Sequence, residues 1–162
     1  MIYRIKEKFW SWGDSFNILD QDRNPTFQVK GKVFSWGDDL SLQDMEGYEL
    51  ARIQQRMFSF FPKYSIEIEG EPFAEVIKEF SWFNQSFTLD VPGPNDYEIK
   101  GSFWEHDFTF RRGDRVVATI SKRMFSWTDS YAVDIVEGED DLAILSACIV
   151  IDQVLHDESR GQ

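Results

Sequence analysis

One cysteine, two histidines and 17 bases against 29 acids set the first limits on this 162-residue chain. A lone Cys148 excludes an intrachain disulfide, and its apolar surroundings read as a buried thiol in a reducing cytosol. The net charge of −12 repels nucleic acid and anionic bilayers at long range, so binding either would need a local basic patch. The longest apolar stretch, Leu142 to Ile151, covers ten residues. As a helix it would reach roughly 15 Å, half the depth of a bilayer core, which excludes a transmembrane segment. Met1-Ile2-Tyr3-Arg4 enters a strand pattern directly, without the apolar stretch and cleavage site of a secretion signal, and a cytoplasmic location is expected.

Catalytic and metal signatures are also missing. There is no Gly-x-Ser-x-Gly, no phosphate-cradling glycine loop and no Cys-x-x-Cys. His106 and His156 have no partners at metal-ligand spacing, so neither a metal nor a cofactor is expected. Asp20-Gln21-Asp22-Arg23-Asn24 opens like a calcium loop, yet Pro25 stands where the glycine is required and Gly31 where the bidentate glutamate should be. That segment reads as a turn.

What the chain does have is aromatic residues, 16% of the total, in a regular array. Trp12, Trp36, Phe60, Trp82, Trp104 and Trp127 follow one another at intervals of 24, 24, 22, 22 and 23. Five of them end a cation-x-aromatic-Ser-aromatic motif, such as Lys8-Phe9-Trp10-Ser11-Trp12 and Arg123-Met124-Phe125-Ser126-Trp127; Lys100-Gly101-Ser102-Phe103-Trp104 is a degenerate copy. Self-similarity at this period marks one supersecondary unit repeated along the chain.

Each copy has two short runs of period-two alternation, one on each side of its motif, as in Leu50-Ile53 and Tyr64-Ile66-Ile68 or Val116-Ala118-Ile120 and Tyr131-Val133-Ile135. Six copies predict twelve strands. Polar turn segments such as Asp44-Met45-Glu46-Gly47 and Arg112-Gly113-Asp114 separate the copies, so an up-and-down arrangement puts motifs at one end and turns at the other. From Glu139 to about Glu158 the pattern becomes helical, acidic at its start and then apolar on every face. Such a helix must be buried all round. Twelve tilted strands about 4.8 Å apart close into a barrel of roughly 12 Å radius, against about 8 Å for eight, and helix and sheet axes need about 10 Å. The expected fold is mainly β: a twelve-stranded antiparallel closed barrel of six hairpin repeats, threaded by the C-terminal helix. Residues 1–158 form a single domain, with strands over 1–136, the axial helix over about 139–158 and a short tail at 159–162.

A base stands four residues before each motif aromatic: Lys8, Lys32, Arg56, Lys78, Lys100 and Arg123. These six are candidates for an anion-binding belt, with pairing to nearby carboxylates as the plainer alternative. Asp152 interrupts the apolar helix and is expected to be a buried polar anchor near one rim. The motif aromatics are expected to fill a core layer and fix hairpin closure, whereas an exposed ring of them would be an interaction surface.

The repeated Lys-x-Phe-Ser-Trp-like motifs, turns such as Asp44-Met45-Glu46-Gly47 and the helix ending Ile149-Val150-Ile151-Asp152 resemble the LURP-one-related proteins. That family is grouped in the tubby C-terminal-like superfamily with tubby proteins and phospholipid scramblases. The resemblance spans Met1 to about Glu158 and implies the threaded barrel. It implies a non-enzymatic binding or scaffold module whose ligand and process are unassigned. The alternative it carries is a peripheral membrane protein that binds phospholipid or phosphoinositide headgroups, so the partner is an anionic headgroup or a protein. Scramblases carry a calcium-binding segment before the helix, but Tyr131 to Asp141 lacks the closely alternating acids at its start. An enzyme using Asp152 with His106 or His156 is a third reading.

Overall fold

In the computed structural model the chain is described over residues 1–6, 15–31, 37–82, 85–92, 96–102, 107–121 and 130–160, without the side chains of 6, 102 and 156–160. Twelve strands and one helix appear in chain order. The strands are β1 (Ile2–Lys6), β2 (Ser15–Leu19), β3 (Pro25–Gly31), β4 (Asp39–Gln43), β5 (Glu49–Gln55) and β6 (Lys63–Ile68), then β7 (Glu71–Glu79), β8 (Gln85–Asp90), β9 (Tyr97–Ser102), β10 (Asp107–Arg112), β11 (Arg115–Ser121) and β12 (Ser130–Ile135). The helix α1 covers Asp141–Arg160, starting and ending two residues later than the sequence pattern suggests.

Each strand pairs antiparallel with its neighbours in sequence, and β1 pairs with β12 to close the barrel. Closure leaves no free strand edge. The inward register is continuous around the wall: Phe16 lies opposite Val29, Val29 opposite Leu42, Leu42 opposite Ala51 and Ile53 opposite Ile66. Period-two alternation therefore sends one residue in two to a common interior, where burying each large aliphatic side chain is worth about 1.5–3 kcal/mol.

That interior is occupied by α1. Ala143 to Ile151 are all buried, so no face of this stretch meets solvent. Asp140 begins the helix: its Oδ1 accepts the Ala143 N–H at 3.1 Å, satisfying one of the amide groups that a helix start leaves unpaired.

The repeats are also visible in the turns. Asp20 and Asp44 each open a hairpin loop in the same way, accepting on Oδ1 the N–H of the residues two and four positions on, all at 2.9–3.0 Å. The fourth loop residue is left-handed in both, Arg23 at φ 68° and Gly47 at φ 91°. The segment that opens like a calcium loop is thus the β2–β3 turn, with its first carboxylate engaged by backbone.

Among the described residues four pairings slip in register, and one of these slips changes which residues of its strand face inward. Across Phe110 and Arg111 the register slips, so Phe110 faces Ala118 while Arg111 faces Val116. Val117, skipped by the pairing, is buried, and Val116 is 40% exposed. The alternation that placed Val116 with Ala118 and Ile120 is corrected by this bulge.

Candidate functional site: the aromatic end of the barrel

The up-and-down order gathers the polar turns at one end of the barrel, and the two ends differ in chemistry. At the turn end the acids flanking α1 are tied down individually. Arg112 donates to Glu139 at 2.6 Å and also to the Tyr97 hydroxyl, and its guanidinium lies 4.6 Å from the centre of the Tyr97 ring. Tyr97 in turn donates to Glu139 at 3.3 Å. Burial raises the Tyr97 phenol pKa, and Glu139 adds to that rise against the lowering effect of Arg112. Tyr3 donates to Asp141 at 2.6 Å, and burial followed by that bond pushes its phenol far up. The acids at the start of α1 therefore serve as its attachments to the wall. Among the described residues no cluster of three His, Cys, Asp or Glu is arranged to hold a metal ion.

At the opposite end, between β5 and β6 and between β7 and β8, aromatic side chains stand in solvent. Phe58 and Phe60 are 104% and 95% exposed and Trp82 is 82% exposed, with Phe80 and Met57 also well exposed. Phe60 packs edge-on against Phe61 at 4.9 Å between ring centres, and Phe80 against Trp82 at 5.0 Å. The bases of the two connections are joined, since the Lys78 N–H donates to the Pro62 carbonyl at 3.0 Å and the Arg56 N–H to the Lys63 carbonyl at 2.8 Å. The neighbouring 37–38 segment leans on the same region: Gly37 has a φ of 83°, and a Cβ there would lie 2.9 Å from Met57 Sδ.

These rings do not form a core layer. For Phe58, Phe60, Phe80 and Trp82 that expectation is corrected, because α1 already fills the interior and leaves the rim aromatics only the outside. Phe58 also has a φ of 65°. A bulky aromatic residue in the left-handed region costs of order 1–3 kcal/mol, and at this exposure no packing offsets it. The motif residues 9–12, 34–36, 103–104 and 125–127 lie outside the described residues.

The candidate basic belt can be placed in part. Lys8, Lys32 and Arg123 lie outside the described residues. Arg56 follows β5 and is exposed. Lys78 pairs with Phe87 on the inward face, half-buried, and desolvation lowers its ammonium pKa. Lys100 is on the outer wall beside Glu98 at 3.8 Å. The structure does not bring these three together. Arg56 does reach an open outer groove of about 550 Å³, but Glu67, Glu75 and Asp90 also line it.

Asp152 is half-buried, not fully enclosed. It adds to the strong upward shift that burial imposes on the Cys148 thiol one turn away. The fully enclosed polar side chains of α1 are instead Ser146 and Gln153, seven positions apart on one helix face, with Ser146 Oγ and Gln153 Oε1 lacking a protein partner. Their polarity stands out in the sequence, but nothing there marks them as more enclosed than Asp152. His106 lies outside the described residues, as does the side chain of His156.

The sequence profile of LURP-one-related proteins matches residues 1–152. The chain belongs to the LURP-one-related family. It is 37% identical over 154 residues to the uncharacterised protein YxjI of Bacillus subtilis (strain 168). The match covers 95% of this chain and 93% of YxjI. No solved structure matches. Among the described residues of this LURP-one-related barrel, no helix is long and apolar enough to cross a membrane.

Proposed function

We propose that the protein is a non-enzymatic binding module that works through the aromatic end of its barrel, in a reducing compartment such as the cytosol. The observation that carries this reading is the exposed pair of ring clusters, with Phe58 held in a left-handed conformation at full exposure. Exposed apolar rings of this kind are a common mark of an interaction site, and phenyl and indole rings supply contact area without acid–base chemistry. The rigid barrel beneath, closed by the β1–β12 pairing, would hold the rings in place before any partner arrives.

Hydroxyl-radical footprinting in extracts of the source cell tests the reading. Oxidation at Phe58, Phe60 and Trp82 should fall in the soluble or the membrane fraction relative to buffer, while exposed Tyr48 at the turn end is unchanged. Equal oxidation of the rings in buffer and both fractions would overturn it.

A further inference from the structure

We infer that the partner at the aromatic end is a protein that lays a basic, extended segment along the outer groove over β5 to β8 and sets its apolar residues against Phe58, Phe60 and Trp82. This rests on the binding-module reading and gives the partner's chemistry.

The first observation is that the groove and the rings belong to the same four strands. The exposed rings stand in the connections after β5 and β7, and the groove lies on the outer wall of β5, β6, β7 and the end of β8, with Arg56 at the end nearer the rings. β6 and β8 are six residues each. At about 3.3 Å per residue, roughly 20 Å therefore separates the aromatic end from Glu67 and Asp90. A small amine is too short to touch both, whereas an extended peptide of about six residues spans the distance.

The second observation is the floor of the groove. The register slip across Ile66 and Glu67 sets Glu67 opposite Pro72 and leaves Phe73 outside the pairing. Phe73 is half-buried, and Pro72, Val91 and Pro92 line the groove with it. A bound chain thus meets apolar surface as well as carboxylates.

The third observation is the charge. Glu67, Glu75 and Asp90 line the groove against one base, Arg56. Glu75 and Asp90 stand directly opposite each other on β7 and β8, a like-charge pair that costs stability in the free protein. Lys63 answers Glu75 at 2.9 Å. Among the described residues Glu67 and Asp90 form no salt bridge. Arg52, opposite Glu67, is held by two hydrogen bonds to Asp39 at 3.1 and 2.8 Å. Desolvation, then the carboxylates of Asp96 and Glu75, raises the Asp90 carboxyl pKa. Lys or Arg side chains of a partner would offset this repulsion, and Arg56 would keep them away from the rings. The groove repels an anionic surface, and a second copy would bring a further net charge of −12.

An array of random octapeptides probed with the purified chain tests the proposal. Bound peptides should be enriched in Lys and Arg at one end and in aliphatic or aromatic residues at the other. For the strongest of them, Glu67→Gln/Asp90→Asn should weaken binding at least about tenfold in fluorescence anisotropy, and so should Phe58→Ser/Phe60→Ser/Trp82→Ser, with melting temperatures unchanged or higher. Glu46→Gln/Asp114→Asn removes the same charge from exposed sites at the turn end and should bind as the wild type does. Affinity should fall at least about fivefold as salt rises from about 0.05 to 0.3 M. The proposal is overturned if the bound peptides show no basic enrichment, if the groove variant binds equally, or if the turn-end variant loses as much. It is also overturned by flotation with phosphatidylglycerol-containing vesicles that the groove variant leaves unchanged, or by dimerisation that the ring substitutions abolish. Ring protection in extracts without selection of basic peptides would sink this partner while leaving the binding-module reading standing.

Discussion

Tyr3 in β1 and Asp141 in the first turn of α1 are 138 positions apart, yet their side chains share a 2.6 Å hydrogen bond. The bond ties the closing seam of the wall to the entry of the helix. Tyr3→Phe keeps the ring, which lies 5.9 Å from that of Phe27, and removes only the hydroxyl. A bond to a charged acceptor at partial exposure contributes about 1–2 kcal/mol. Chemical denaturation should show a loss of that size with an unchanged slope.

Arg112→Ala should cost more. Glu139 keeps only 6% side-chain exposure and would be left without its cation. Removing one member of a buried pair costs about 3–5 kcal/mol, and the screening allowed by the 35% exposure of Arg112 pulls the expected value toward the lower figure. The double variant Arg112→Met/Glu139→Gln should recover part of the loss, as read from urea midpoints.

Phe58→Gly should stabilise the fold while weakening whatever the aromatic end binds. Glycine adopts φ 65° without strain, and the exposed ring has no packing to lose. A gain of about 0.5–1 kcal/mol, or roughly 1–4 °C in melting temperature, is expected. A lower melting temperature would mean that the ring supports its own loop.

Alkaline pH should destabilise the protein through Cys148. Burial raises its thiol pKa, so the native state holds the proton that the unfolded state releases. The thiol's contribution is complete below the unfolded value of about 8.5 and declines above it, by up to about 1.4 kcal/mol per pH unit. Tyr3, whose phenol is also raised, adds to the decline above about pH 10. Cys148→Ala should flatten the loss between those two values, as read from denaturation midpoints across the range.

Ile149→Lys should abolish folding. Ile149 is 1% exposed inside the barrel, and an unpaired ammonium there costs several kcal/mol against a typical total of about 5–15. A soluble Ile149→Lys protein with a cooperative melting transition would contradict the threaded barrel.

The wall and its helix were legible because two periods are written plainly: alternation in runs such as Tyr64-Ile66 and Tyr131-Val133-Ile135, and apolarity on every face from Leu142 to Ile151. The Val116 and Val117 exchange was not, since a bulge shifts phase by one residue without changing the composition of the strand. Phe58, Phe60, Phe80 and Trp82 were misjudged because hydrophobicity alone favours burial. The helix that fills the interior already argued against that, having left no space for further ring pairs. The basic belt rested on a constant offset to the following aromatic, but a side chain's direction is set by the strand before it. Lys78 is two positions beyond the inward Val76 and points in, whereas Lys100 is one beyond Ile99 and points out.

The seam between β1 and β12 also fixes an order of events during synthesis. The Ile135 N–H donates to the Met1 carbonyl at 2.8 Å, a contact spanning 134 positions, and α1 is translated later still. Hairpins can form one by one as the chain leaves the ribosome, because each joins neighbours in sequence. The wall cannot be sealed around its plug until α1 has emerged. Nascent chains arrested before Asp141 should therefore be digested readily by protease, and release of the finished chain should precede acquisition of the resistant form.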